Sequence, residues 1–388
     1  MGPTGLAFGP SATTTVTFSG AANNGVIQIP IVESDNAANT ADDFNLIGNP
    51  YASAIFADDF ITTNGAKTSG SLYFWTHVDD VSVSNPGPSL YNFITDDYAV
   101  YNLSGGTRAS FTGSALPTGY IASGQGFFVE AQGNNTLTFN NAMRDKDYDN
   151  DQFFRSAQPQ AAEKDRLWLN LRNGDGMFGQ LLVAYLPQST LDFDWAYDAR
   201  VNQSNNYLSF YTLGNNEKYK IQARSTFVES DIVPIGYFSS VDGEFSISID
   251  QHEGILNSES TNIYVEDLAL NIIHDLKASP YTFTTTSGKF ENRFLLRYTN
   301  GSALDNPDFD TLNSSVVVAT NQGELTIKSY LQTIDEVIVY DMLGRQLYQA
   351  KGIGANDFVA NNVSLSQQSL IVKIKLESGT VVTKKILL

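Results

Sequence analysis

Cysteine is absent from this chain of 388 residues, and only three histidines are present. The lack of cysteine excludes a disulfide scaffold, a cysteine-ligated zinc site, an iron–sulfur cluster and a thiol nucleophile. Exported and cytosolic proteins can both lack cysteine, so its absence leaves the cellular compartment open. The lack of cysteine therefore limits the chemistry of the chain and not its location.

Basic side chains are also scarce. Lysine and arginine number 23 against 42 aspartates and glutamates, which gives a net charge of −19. This charge repels phosphate backbones and anionic lipids, so we expect no nucleic acid among the partners. Long hydrophobic runs are missing too, since no stretch approaches the roughly 20 apolar residues that a membrane-spanning helix needs.

The beginning of the chain lacks the basic region and following apolar region of a secretory leader. We therefore expect either a cytosolic protein or a piece of a longer exported chain. The C-terminal pattern described below favours a piece of a longer exported chain.

Short runs rich in valine, isoleucine, threonine, phenylalanine and tyrosine dominate the sequence, and turn-forming residues separate them about every eight to twelve residues. No apolar stripe of helical period lasts beyond about two turns. The predicted fold class is therefore all-β, with tandem β-sandwich modules. Two breaks in composition, at 156–164 and 299–315, predict three modules, which are 1–155, 164–300 and 314–388.

Charge sets the last module apart. Residues 1–155 carry 5 basic and 15 acidic side chains (−10), 156–310 carry 11 and 21 (−10), and 311–388 carry 7 and 6 (+1). Six strands are predicted in this module, which indicates a small immunoglobulin-like sandwich. They are 316–318, 324–328, 336–340, 346–349, 370–376 and 381–387. Two hairpins are expected among them, one turning at Gly344 with a positive φ and one turning at 377–379.

Two segments of this module resemble a known family. The turn Tyr340-Asp341-Met342-Leu343-Gly344-Arg345 and the terminal strand Val381-Val382-Thr383-Lys384-Lys385-Ile386-Leu387 are similar to signatures of the C-terminal sorting domain of the type IX secretion system of Bacteroidetes. Upstream, Asp231-Ile232-Val233-Pro234-Ile235-Gly236-Tyr237 fits the longer, type C variant of that signal. The motifs Asn45–Tyr51 and Tyr120–Phe128 resemble a module common in flavobacterial cell-surface proteins.

The resemblance implies a function in transport. A sorting domain of this kind takes a folded cargo from the periplasm through the outer membrane, where a β-barrel shuttle protein and the translocon bind it. The chain would then be the C-terminal region of a secreted or cell-surface protein, and the partner-binding residues would be Tyr340, Asp341, Gly344, Arg345, Lys384 and Lys385. Two plainer interpretations stay open: an ordinary hairpin with an exposed arginine, and lysines that protect an edge strand from aggregation.

Catalysis finds little support in the sequence. None of the histidines lies in a zinc-binding spacing, and no nucleophile elbow or phosphate-binding loop is present, so we expect no enzyme. The alternative function is a carbohydrate-binding or adhesin module within 1–310, which would bind surface glycans. Tyr73 and Trp75 alternate along one predicted strand and could form a sugar-stacking platform, although core packing is the favoured explanation.

One acidic segment suggests a cation. Asp145, Asp147 and Asp149 occupy every second position, as in the first half of a calcium loop. The segment departs from the EF-hand pattern, because Asn150 stands where glycine is expected and Ser156 where glutamate is expected. Calcium is therefore one hypothesis for a cofactor, and a solvated acidic face is the other.

Overall fold

The computed structural model describes residues 19–34, 43–75, 98–111, 116–144, 164–201, 207–215, 217–300, 315–321, 324–341, 344–360 and 370–386. Strands make up most of these stretches, and the helical structure is one α-helix, α1 (Ala57–Asn64), with short 3-10 turns at Gly65–Lys67, Asn141–Met143 and Gly254–Asn257. The predicted all-β class is confirmed. No helix in the described stretches is both long and apolar enough to cross a membrane.

Nine strands in the described residues of the first part form three antiparallel sheets, ordered β2-β8-β4-β5-β6, β1-β9 and β3-β7. The strands are β1 (Ile27–Ile31), β2 (Phe44–Gly48), β3 (Ile55–Phe56), β4 (Thr68–Trp75), β5 (Tyr98–Asn102), β6 (Gly105–Thr107), β7 (Tyr120–Ile121), β8 (Gly126–Ala131) and β9 (Asn135–Phe139). Helix α1 fills the space between them, where Phe60 packs against Phe127 and Phe139.

The second part forms one large curved sheet, ordered β18-β17-β20-β15-β13-β14-β11-β10-β16-β19, with β12 paired to β14. Its strands are β10 (Asp165–Asn173), β11 (Phe178–Tyr185), β12 (Ala199–Arg200), β13 (Leu208–Gly214), β14 (Glu217–Arg224), β15 (Ile232–Ser239), β16 (Gly243–Glu253), β17 (Tyr264–Asp267), β18 (Ile272–Asp275), β19 (Tyr281–Thr285) and β20 (Gly288–Arg297). Apolar side chains from strands along its whole length meet in one core. The sheet therefore curls around its own inner face.

The five-stranded sheet of the first part packs on the outer face of the large sheet. Tyr73 and Val100 share a buried cluster there with Trp168, Leu182 and Ile221. The indole N–H of Trp168 also donates to the carbonyl of Gly106 at 2.7 Å. This contact joins the two parts through both apolar packing and hydrogen bonding.

Within its described stretches, the last part has seven strands in a three-stranded sheet, β21-β22-β25, and a four-stranded sheet, β24-β23-β26-β27. They are β21 (Val316–Asn321), β22 (Glu324–Ser329), β23 (Ile334–Asp341), β24 (Gln346–Ala355), β25 (Asp357–Ala360), β26 (Leu370–Leu376) and β27 (Val381–Ile386). The hairpins β23–β24 and β26–β27 confirm the two predicted ones, whereas β25 was missed. The module boundaries, the sandwich architecture and the immunoglobulin-like topology stay predictions.

Candidate recognition surface of the C-terminal strands

The turn between β23 and β24 is held by Asp341, which is almost fully buried. Its carboxylate accepts the backbone N–H of Arg345 at 2.9 Å and the guanidinium Nε of the same residue at 2.6 Å. Gly344 has φ of +80°, a conformation that glycine adopts without strain. The turn therefore presents Arg345, whose side chain is 72% exposed, in one fixed position.

The same end of the four-stranded sheet carries the C-terminal lysines. Tyr340 on β23 is paired with Ile371 on β26, and Ile371 is paired with Lys385 on β27. Cross-strand partners point to the same face of an antiparallel sheet. The structure thus brings Tyr340 and Lys385 into one row on the outer face, next to the Asp341–Arg345 turn.

Lys384 faces the opposite way. It pairs with Val372, which pairs with Val339, and both valines are fully buried on the inner face of the sheet. Burial lowers the pKa of the Lys384 ammonium group, and the nearby Asp192 carboxylate acts in the other direction. The two neighbouring lysines therefore have different surroundings, a difference that their place in the sequence did not indicate.

These strands are docked on the large sheet. Tyr211, Leu213, Ile232 and Leu295 come from the outer face of β13, β15 and β20 and belong to the same buried cluster as the core of the last part. We call this contact the seam. A carboxylate at its border, Glu291, contacts three lysines from three strands, at 2.9 Å for Lys218, 3.0 Å for Lys289 and 3.8 Å for Lys328.

Charge balance at the seam border follows from these distances. Burial by itself would raise the pKa of Glu291, but hydrogen bonds and proximity to Lys218 and Lys289 bring it below its usual value. Glu291 therefore stays ionised under ordinary conditions and links β14 and β20 of the large sheet to β22 of the last part.

The two motifs of the first part meet each other in the structure. The side-chain amide of Asn49 donates to the carbonyls of Ile121 and Ala122 at 3.0 and 3.1 Å, and its backbone N–H donates to Gln125. Tyr51 donates its hydroxyl hydrogen to Gly25 at 2.6 Å. Asn49 and Tyr51 are buried, and their hydrogen bonds connect separate loops. These contacts therefore stabilise the fold.

Other residues singled out from the sequence lie elsewhere. Tyr73 is only 5% exposed and packs edge-on against Phe44, so it cannot offer a ring to a sugar beside the exposed Trp75. The ring of His274 contacts the carbonyl of Ser279 at 2.8 Å. Asp145, Asp147, Asp149 and His77 lie outside the described residues, and within the described part no group of acidic or histidine side chains is arranged to hold a metal ion. Calcium binding stays a prediction.

Asp198 is a buried acid that sequence reasoning missed. Its carboxylate accepts backbone N–H groups from Asp194 at 2.7 Å and from Ala223 at 2.6 Å. Burial raises the pKa of Asp198 to about 7 despite these two bonds. The sequence offered one weak signal, because the aromatic residues Phe193, Trp195 and Tyr197 occupy every second position just before this acid.

Fold and surface together define an all-β protein whose C-terminal strands pack on a large curved sheet. A family model described as a domain of unknown function, DUF8693, matches residues 2–298, and the chain belongs to this family. A second model, described as a domain of unknown function, DUF8694, matches residues 304–388. No curated protein matches the chain.

Proposed function

We propose that the chain is the C-terminal region of an exported cell-surface protein and that its last strands are a type IX sorting signal. The signal is recognised by an outer-membrane shuttle β-barrel and the translocon, after passage through the periplasm. The observation that carries the proposal is the clustering of the Asp341–Arg345 turn, Tyr340 and Lys385 at one end of one sheet.

The geometry of the turn supports a recognition role. Arg345 is held by Asp341 through its Nε atom while most of its side chain remains exposed. A guanidinium fixed in this way loses little conformational entropy when it binds a carboxylate or a carbonyl oxygen of a partner.

The proposal assigns no reaction to the chain. The Nε2 atom of His274 lies 2.8 Å from the carbonyl oxygen of Ser279 and 3.2 Å from its hydroxyl. Because a carbonyl oxygen only accepts, the closer contact favours a protonated Nε2, which cannot take a proton from that hydroxyl. Binding and transport, rather than catalysis, are the proposed roles.

Export of the whole chain, expressed behind a cleavable signal peptide that takes it to the periplasm of a bacterium with a type IX system, tests the proposal. The wild-type chain should reach the medium or cell surface, whereas Arg345→Ala and deletion of 384–388 should each leave it in the periplasm. Arg172→Ala, which removes an arginine of the large sheet, is the matched control and should be exported normally. Melting curves of the purified variants would show whether they fold.

Two outcomes contradict the proposal. One is a wild-type chain that stays in the periplasm. The other is normal export of both altered chains, which would mean that neither the turn nor the terminal lysines are recognised.

A further inference from the structure

The outer face of the four-stranded sheet combines basic and apolar side chains. Four lysines lie on it, Lys351, Lys373, Lys375 and Lys385, because strand alternation and register place them on the same side as Tyr340. Ile338 and Ile371 lie between them and are partly buried. We call these seven residues the basic sheet face.

The four lysines of this face differ in whether a carboxylate lies nearby. Lys351 pairs with Glu336 at 3.2 Å and Lys375 pairs with Asp335 at 2.8 Å. Among the described residues, no carboxylate lies within 4.0 Å of Lys373 or Lys385, and both side chains are exposed. Lys373 lies over the ring of Tyr340, with its Nζ atom 5.6 Å from the ring centre.

The sheet fixes the backbone positions from which these two lysines extend. Lys385 is directly opposite Ile371, so Lys373 is its diagonal neighbour across the pair of strands, with a Cα–Cα distance of about 7–8 Å. Ile371 and the exposed Thr383 occupy the two positions between these lysines, so the surface there is partly apolar and partly polar. A polyanion such as a polysaccharide would neutralise the lysines but leave Ile338 and Ile371 in water, whereas a protein surface can cover both kinds of side chain.

The rest of the chain makes this face distinctive. Residues 1–310 carry 16 basic and 36 acidic side chains, which gives −20, while 311–388 carry +1. An acidic partner is repelled by the first two parts and attracted only towards the last, so the charge distribution orients its approach. Charge complementarity thus selects both the partner and the docking direction.

We infer that the basic sheet face docks an acidic protein surface of the export machinery, through Lys373 and Lys385 with Ile338 and Ile371 at the centre of the contact. The inference rests on the proposed function, and it names the chemistry of the partner. It assigns recognition to the face of the sheet as well as to the turn beside it, and it includes Lys373, which lies outside the terminal motif.

Export of the full chain again provides the test. The double variant Lys373→Glu and Lys385→Glu should export at least about tenfold less than wild type, because reversed charges then face the acidic partner. Lys373→Gln with Lys385→Gln should lose less, and Lys373→Arg with Lys385→Arg should export normally. Lys67→Glu, which reverses a charge in the first part, is the control for charge itself and should also export normally.

A second pair of variants tests the apolar centre. Ile338→Ser with Ile371→Ser should reduce export as well, since a protein partner covers these side chains. Normal export of this pair together with loss in the lysine variants would point to an anionic polymer and overturn the inference.

Unchanged export of the Lys→Glu chain would overturn the inference while leaving the proposed function in place. Failure of the wild-type chain to be exported would contradict both. Resistance to protease should be checked for each variant that stays in the periplasm, because a misfolded chain would also fail to be exported. If the Lys→Glu chain does not fold, the Lys→Gln chain takes its place in the comparison.

Discussion

One carboxyl group, that of Asp198, makes a pH-dependent contribution to the stability of this protein. Its pKa is raised to about 7 by burial, well above the 3.8 of an unperturbed aspartate. The folded state therefore favours the protonated acid, and this stabilisation is complete only below pH 3.8 and is lost as the pH rises to 7. The unfolding free energy should fall by about 2 kcal/mol between pH 5.5 and pH 8.

Urea titrations across that range would measure the effect. Asp198→Asn removes the titrating group, so its unfolding free energy should change less with pH than that of wild type. Asp59→Asn, a change at an exposed acid of α1, is the matched control and should keep the wild-type slope. An identical slope in wild type and Asp198→Asn would contradict the assignment.

The sequence identified the residues of the terminal motif, but it did not show to which face of the sheet each side chain points. The positive φ of Gly344 and both hairpins were predicted from turn chemistry, which is local. Which of Lys384 and Lys385 faces outward depends on strand register, and register is set by a hydrophobic pattern shared among three strands. Asp198 shows the same limit, because its burial comes from strands far away along the chain.

At the scale of elements, one loop of the second part is inserted into the first. Trp195 donates its indole N–H to the carbonyl of Thr68 at 2.8 Å, and Ala196 accepts the backbone N–H of Leu103 at 2.9 Å. Gly70, with φ of +81°, lies so close that an added Cβ would be 2.5 Å from the Cα of Ala196. The contact leaves no room for a side chain at position 70.

Substitution of this glycine should therefore be costly. Gly70→Ala combines an unfavourable φ with overpacking against backbone, and we expect a loss of about 3 kcal/mol or more in unfolding free energy. Gly65→Ala is the matched control: its φ is also positive, at +56°, but no atom lies within 4 Å of the added methyl. With ψ of −149°, it should lose only the backbone strain of a conformation nearly restricted to glycine, about 1–3 kcal/mol. Equal losses in urea titrations would mean that the loop does not pack as described.

The acidic segment 145–151 gives a prediction at the same scale. If Asp145, Asp147 and Asp149 bind calcium, the ion stabilises the folded state by mass action, so millimolar calcium should raise the melting temperature. Asp147→Asn with Asp149→Asn should abolish that increase. Equal melting temperatures with chelator and with calcium would favour the solvated acidic face.

The whole molecule should unfold as one unit, because the seam merges the core of the last part with side chains of the large sheet. All three tryptophans lie in residues 1–300, so their fluorescence reports only on the first two parts. Ile374→Ala in the last part should nevertheless shift the fluorescence midpoint in urea, at a cost of about 2–4 kcal/mol. An unchanged midpoint would show that the last part unfolds by itself.

Sequence patterns predicted the β-rich class but not how the sheets meet. Alternation along a strand identifies a buried face, whereas the partner that buries it can lie anywhere in the chain. Tyr211 and Leu213 on β13 illustrate this, since their pattern fits any two-faced strand and only the structure shows that the last part covers them. The same holds for Trp168 and its hydrogen bond to Gly106.

The order of strands in the large sheet has a consequence for synthesis on the ribosome. β10 lies between β11 and β16, and Arg166 on β10 contacts Glu253, which is 87 residues further along the chain. Closing so long a loop is entropically costly and slow, and it cannot occur before β16 has been translated. One edge of β10 therefore stays unpaired in the nascent chain, so a ribosome-bound chain that ends before Gly243 should be sensitive to protease where the finished protein is resistant.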